Sequence, residues 1–198
     1  MRDGADSEIA EDEALVARIQ RGETGLFAIL FRRHYARMER FFWHLGVRDD
    51  DLYDLLAELF GRAFSRIAGF EVESGSRYVS YLYAIARNLA TDRARERGRR
   101  PELVPLDEAW DEPDHSTPGP VQTVLWREDV AEIRRALERL SPSDREIILL
   151  SYDRELSCRE IQQIMHKPSV SAVTTHLSKA MKRLRQAVLE HPARAARS

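Results

Sequence analysis

Cysteine is nearly missing from this chain. Cys158 is the single one among 198 residues, which excludes an internal disulfide and every zinc pattern that needs several thiolates. The histidines, His34, His44, His115, His166, His176 and His191, form no HExxH motif and no pair at helical i,i+4 spacing. No metal site and no cofactor is therefore expected. No apolar run approaches the roughly 18 residues of a membrane span, and residues 1–13 are acidic where a secretory leader would be basic and then apolar. The expectation is a cytoplasmic protein without membrane insertion. Gly-rich phosphate loops, nucleophile–base motifs and paired carboxylates beyond ordinary helix surface charge are lacking as well. No catalytic residue is assigned, and neither an enzyme nor a small-molecule substrate is expected.

What is present is charge, unevenly placed. Lys and Arg total 31 against 33 Asp and Glu, a formal charge of −2, and 43% of residues are hydrophobic. Residues 101–120, PELVPLDEAWDEPDHSTPGP, hold Glu102, Asp107, Glu108, Asp111, Glu112 and Asp114 with no Lys or Arg. The stretch just before, RNLATDRARERGRR, carries Arg87, Arg93, Arg95, Arg97, Arg99 and Arg100, and a second basic cluster comprises Lys179, Lys182, Arg183 and Arg185. Two basic surfaces on either side of an acidic, proline-containing tether indicate two modules.

Helical periodicity dominates on both sides of the tether, without persistent strand-type alternation. Leu15, Val16, Ile19, Leu26, Phe27, Leu30, Phe31 and Tyr35 recur at three and four, broken at Gly22. Further helices are predicted over about Asp50–Ile67 and Tyr78–Glu96, with GFEVESGS between them. The fold class is all-α: two small helical domains joined by an acidic linker, the second a helix-turn-helix. The expected boundaries are a flexible acidic N-terminus over 1–11, a helical domain over 12–99, the linker over 100–120, the second domain over 121–191 and a flexible tail over 192–198. After the linker, VLWREDVAEIRRALERL has an amphipathic pattern. Ser143 to Glu146 and Ser157 to Glu160 each show capping-box spacing.

Ile161, Ile164 and Met165 give a short apolar face that Lys167-Pro168 ends. The next helix, starting around Ser169 or Ser171, is expected to bury Val173, Leu177, Ala180, Met181, Leu184 and Val188. The helical period then turns Ser171, Thr174, Thr175, Ser178, Lys179 and Lys182 outward. A short helix, a tight break and a helix with short hydrogen-bonding groups followed by cations suit major-groove recognition. A solvated αα-hairpin is the bland alternative.

Two features of the first module point elsewhere. Tyr78, Tyr81 and Tyr83 precede Arg87 and the arginine run, so π-faces and cations share one helix, a combination suited to opened nucleic acid. Tyr83, beside Leu82 and Ile85, is expected in the core. In RDDDLYDLLAELFGRAF, Asp51, Asp54 and Glu58 recur at three and four, which would repel DNA. That stripe is either a solvated face or a docking surface for a basic protein.

The ordered set DLLAELFGRAF, YLYAIARNLATDRAR, acidic linker, LERLSPSDREIILL, LSCREIQQIM and VTTHLSKAMKRLRQ resembles the extracytoplasmic-function (ECF) sigma factors. These are two-domain initiation subunits of bacterial RNA polymerase, within the sigma-70 family. The resemblance covers about residues 12–190. It implies core polymerase and promoter DNA as partners, and an anti-sigma factor that would clamp the modules and hide both basic surfaces. Core binding is implied for Asp51, Asp54, Leu55, Glu58 and Phe60. Recognition and opening of the minus-ten element are implied for Tyr78, Tyr81, Arg87, Asn88, Arg93 and Arg95. Reading of the minus-thirty-five element is implied for Ser171, Thr174, Thr175, Ser178, Lys179, Lys182 and Arg183. The linker is expected to thread toward the polymerase active-site cleft.

The chain departs from the family pattern at several places. Tyr81 stands where Trp is frequent, Ala84 where a basic residue is common, and Tyr53 at an often acidic position. His166 replaces a frequent Gly, and Thr174 and His176 stand where Lys and Arg are frequent. Two other functional classes fit these residues less well. A sigma mimic that sequesters an anti-sigma factor should lose its DNA-facing cations, whereas this chain keeps Arg87, Arg93, Arg95, Lys179 and Lys182. An autonomous helix-turn-helix repressor leaves the acidic helix and the first module unexplained, and a net charge of −2 disfavours phosphate-driven binding alone.

Overall fold

The computed structural model describes residues 3–47, 50–71, 77–97, 133, 135–152 and 156–190. The acidic linker, most of the amphipathic segment after it and the C-terminal tail lie outside these residues. Among the described residues the regular structure is helical throughout. Four helices form the first module: α1 (Asp3–Gln20), α2 (Phe27–His44), α3 (Asp50–Arg66) and α4 (Tyr78–Glu96). In the second, a helical turn at 135–138 precedes α5 (Pro142–Tyr152), α6 (Cys158–Ile164) and α7 (Val170–Leu189).

The first core follows from the apolar spacing. Leu30, His34, Met38, Phe41 and Phe42 bury one stripe of α2, against Leu55, Leu59 and Ala63 of α3 and Leu82, Ala86 and Leu89 of α4. At the end of α2, Gly46 has φ +84° and Val47 N–H reaches Phe42 O at 3.0 Å, a left-handed helix stop that glycine takes without a Cβ clash. Gln20 Nε2 donates to Ile67 O at 2.8 Å and Phe70 O at 2.7 Å, fastening the end of α1 to the turn that follows α3.

Helix α1 begins at Asp3, inside the segment expected to be a flexible terminus. Its anchor is a cluster on α2: Asp12 Oδ2 lies 2.7 Å from His34 Nε2, and its Oδ1 accepts from Arg33 Nη1 at 2.9 Å. Burial pushes the Asp12 carboxyl up, but the hydrogen bonds and positive charge of His34 and Arg33 outweigh it and hold the group below its ordinary value.

In the second module, Ile147, Ile148 and Leu150 of α5, Ile161 and Ile164 of α6, and Val173, Ala180 and Leu184 of α7 form the core. The Ser157–Glu160 capping box is present, with Glu160 N–H donating to Ser157 Oγ and Ser157 N–H donating to Glu160 Oε2. The second expected box needs correction. The hydroxyl that accepts from the helix start is that of Ser141, 3.2 Å from Asp144 N. Ser143 lies within the first turn, and Glu146, buried, turns instead toward α4.

The two modules touch. Helix α4 packs on α6, and Arg87 Nε donates to Glu146 Oε1 at 2.6 Å. Glu160 Oε1 accepts from Arg77 N–H, just ahead of α4, at 3.2 Å. With this second neighbour, the buried arc of α4 that carries Tyr78, Val79, Leu82, Tyr83, Ile85 and Ala86 extends over nearly half the helix circumference.

Candidate nucleic-acid interface

Helix α6, a tight turn and α7 make the helix-turn-helix. Met165 caps α6, His166 follows with φ +51°, and Ser169 caps α7 by accepting from Ala172 N–H at 3.1 Å. A left-handed residue is what a break this short requires, and glycine fills such a position without strain. From Ser169 onward the helical phase is fixed. Val173, Ala180 and Leu184 turn inward with Leu177 half-buried, while Ser171, Thr174, Thr175, Ser178, Lys179, Lys182 and Arg183 are exposed. Among the described residues, neither Lys179 nor Lys182 has an ion pair. Arg183 differs: its Nη1 lies 2.7 Å from Asp144 Oδ2.

The arginine helix of the first module is largely engaged. Tyr78 is fully buried against Phe70, Tyr81 and His34, and burial pushes its phenol well up. It has no face to offer a base in this arrangement. Tyr81 is half-buried, its ring 5.1 Å from that of Phe70, and burial raises its phenol too. Arg87 is paired with Glu146. Arg93 Nη1 lies 2.7 Å from Asp51 Oδ1, and Arg97 Nη2 2.6 Å from Asp51 Oδ2. Asn88 is exposed, with His166 Nε2 3.4 Å from its Oδ1. Arg95 is also exposed, and among the described residues its ion-pair contact is to Asp92 Oδ1 at 3.5 Å.

On α3 the structure revises the expected docking stripe. Asp51 is buried and tied to α4 by Arg93 and Arg97, and Leu55 and Phe60 lie in the core. The surface left to a partner carries Asp54 and Glu58, the latter paired with Arg62. It also carries residues missed by charge-based reasoning. Tyr53 is 67% and Phe64 44% exposed, and Phe64 stacks edge-on against Phe27 of α2 at 4.9 Å. Phe31, 37% exposed, meets Phe60 at 4.7 Å. Phe27 and Phe31 are four apart on α2, and Tyr53 and Phe64 eleven apart on α3. Each pair shares one helical face, which is the signal that could have revealed an aromatic strip.

Comparison with known proteins agrees with this architecture. Residues 30–100 match the sigma-70 region 2 family model, and residues 131–184 match sigma-70 region 4. The chain is 30% identical to the ECF RNA polymerase sigma factor BldN of Streptomyces coelicolor over 84% of its own length, spanning 62% of that protein. It is 30% identical to the RNA polymerase sigma factor NccH of Alcaligenes xylosoxydans xylosoxydans, over 71% of this chain and 75% of that one. Two solved structures share the fold. One is CnrH in complex with the cytosolic domain of CnrY (TM-score 0.60, 21% identity, covering 88% of this chain and 95% of that one). The other is the sigma factor RpoE in complex with the anti-sigma factor NepR from Bartonella quintana (TM-score 0.59, 23% identity, covering 83% and 97%). The two matched regions in this order, the aligned relatives and the helix-turn-helix geometry lead to one conclusion: the chain belongs to the sigma-70 family as an ECF sigma factor, a subunit that binds core RNA polymerase and promoter DNA in transcription initiation.

Proposed function

We propose that the initiation role is divided among three surfaces of this chain. The outward face of α7 reads the upstream promoter element, with Ser171, Thr174, Thr175 and Ser178 on base edges and Lys179 and Lys182 on phosphates. The observation that carries this is the unpaired state of both lysines among the described residues, beside hydroxyls exposed along one helical face. Tyr81, Asn88 and Arg95 of α4 serve the downstream element, joined by Arg87 and Arg93 once their intramolecular partners release them. The face of α3 with Tyr53, Asp54, Glu58 and Phe64, extended by Phe31 of α2, docks core polymerase, its aromatics supplying desolvated contact within an acidic rim.

The chain acts as a regulatory subunit in the cytoplasm and catalyses no reaction of its own. No helix among the described residues is long and apolar enough to cross a membrane. Two structures sharing the fold were solved with CnrY and with the anti-sigma factor NepR. We infer an anti-sigma partner here as well, one that would cover both modules. Run-off transcription with core polymerase is the test. The wild type should initiate at discrete promoters. Lys179→Ala and Lys182→Ala should each weaken holoenzyme binding and lower the salt dependence by about one phosphate contact. Transcription that does not depend on the added chain would refute the assignment.

A further inference from the structure

Asp144 sits in the first turn of α5, its side chain 4% exposed. It receives two partners from α7. His176 Nε2 lies 2.9 Å from Oδ1, and Arg183 Nη1 lies 2.9 Å from Oδ1 and 2.7 Å from Oδ2. Seven positions separate these partners, and an α-helix drifts only about 20° over seven residues. Both therefore occupy one flank of α7, roughly a quarter turn from the buried stripe and roughly a third of a turn from the middle of the face with Thr175, Ser178 and Lys182. A carboxylate buried at the rim of a DNA-reading surface is costly unless held by cations and hydrogen bonds. Here Ser141, Arg183 and His176 outweigh the effect of burial and keep it below its ordinary pKa.

The contrast along the helix is informative. Lys179 and Lys182 have no ion pair among the described residues, whereas Arg183, next in sequence, is drawn back onto a buried anion. We propose that Asp144 is the positioning residue of the recognition helix: it withholds Arg183 from the DNA backbone and, gripping His176 two turns earlier, fixes which side of α7 faces the groove. This rests on α7 being the upstream reader and replaces the sequence-based expectation that Arg183 binds DNA. The device exchanges one non-specific phosphate contact for a defined rotational setting. A helix held at two points on one flank cannot roll to satisfy mismatched bases, so discrimination gains where raw affinity is given up.

Holoenzyme binding to duplexes with and without the upstream element, measured across salt concentrations, tests the proposal. Arg183→Ala should leave the slope of log affinity against log salt unchanged. Asp144→Asn, which keeps shape but removes charge, should free Arg183. The slope should then steepen by about one phosphate, and the ratio of specific to non-specific binding should fall on the order of tenfold. The double variant should return the slope to the wild-type value while discrimination stays impaired. The proposal is overturned if Arg183→Ala flattens the slope by about one. It is equally overturned if Asp144→Asn lowers only the melting temperature, with slope and selected consensus unchanged. Should Asp144→Asn fail to fold, the Arg183→Ala slope decides. Lys179→Ala and Lys182→Ala in the same series separate this from failure of the broader assignment: if neither alters the slope, α7 is not the DNA-facing element.

Discussion

At the scale of single residues, buried charge does most to set the geometry. Asp12 joins α1 to α2 through His34 and Arg33, and Asp51 joins α3 to α4 through Arg93 and Arg97. Removing one member of a buried pair strands the other and costs about 3 kcal/mol or more. Asp12→Ala should therefore lower stability by about that amount in a denaturant titration. The pH dependence has a definite sign. A carboxyl held below its ordinary value stabilises the fold above about pH 4 and loses that contribution as pH falls through its folded-state pKa. The stability gap between wild type and Asp12→Asn should narrow on acidification and close at the lowest pH. Such pairs were not legible beforehand. Asp51, Asp54 and Glu58 form one stripe in sequence, but only the folded chain shows Asp51 facing two arginines some forty residues away. Tyr78 likewise has the composition of a stacking residue and the location of a core residue.

Among elements, local rules were far more informative. The predicted span Tyr78–Glu96 coincides with α4, and Asp50–Ile67 differs from α3 by one residue, because apolar spacing specifies both length and inward face. The Ser157–Glu160 box starts α6 as its spacing predicts. The corresponding choice at α5 failed because Ser141-Pro-Ser143 offers two hydroxyls, and proline fits the first helical position, which favours Ser141 as the cap. The turn between α6 and α7 carries a residue-specific cost. His166 at φ +51° adopts a conformation that penalises a Cβ by roughly 1–2 kcal/mol. His166→Gly should raise the melting temperature, by roughly 2–4 °C for a chain of this size if about 1 kcal/mol is recovered. A lower melting temperature would show that the His166–Asn88 contact outweighs the relieved strain.

For the molecule as a whole, the division of roles proposed above requires the packed modules to part. Elements about 25 base pairs apart are separated by about 85 Å at 3.4 Å per base pair, whereas α4 touches α6 of the helix-turn-helix. Arg87 cannot reach DNA while it holds Glu146. Burial outweighs the attraction of Arg87 and raises the Glu146 carboxyl, so the packed form takes up a proton more readily than the separated one. Its stabilisation by that proton is complete below the ordinary glutamate range and fades as pH rises through the raised value. Small-angle scattering of the isolated chain should show expansion as pH is raised across that window. Glu146→Gln, which cannot ionise, should remove that dependence. An unchanged pH response in the variant would assign the transition to another group.

Glu160 divides its carboxylate between two jobs: Oε2 receives the Ser157 amide at the head of its own helix, and Oε1 receives the Arg77 amide ahead of α4. Parting the modules takes Oε1 from Arg77, whose N–H is left with its 3.2 Å bond to Ser80 Oγ, and leaves the Ser157 contact intact. Deuterium uptake at these two amides should therefore run on different clocks. The Arg77 proton should exchange faster when core polymerase pulls the modules apart and slower when a partner clamps them together, with Ser157 as the internal standard. A single backbone hydrogen thus becomes a stopwatch for commitment to a promoter, legible without any label on the DNA.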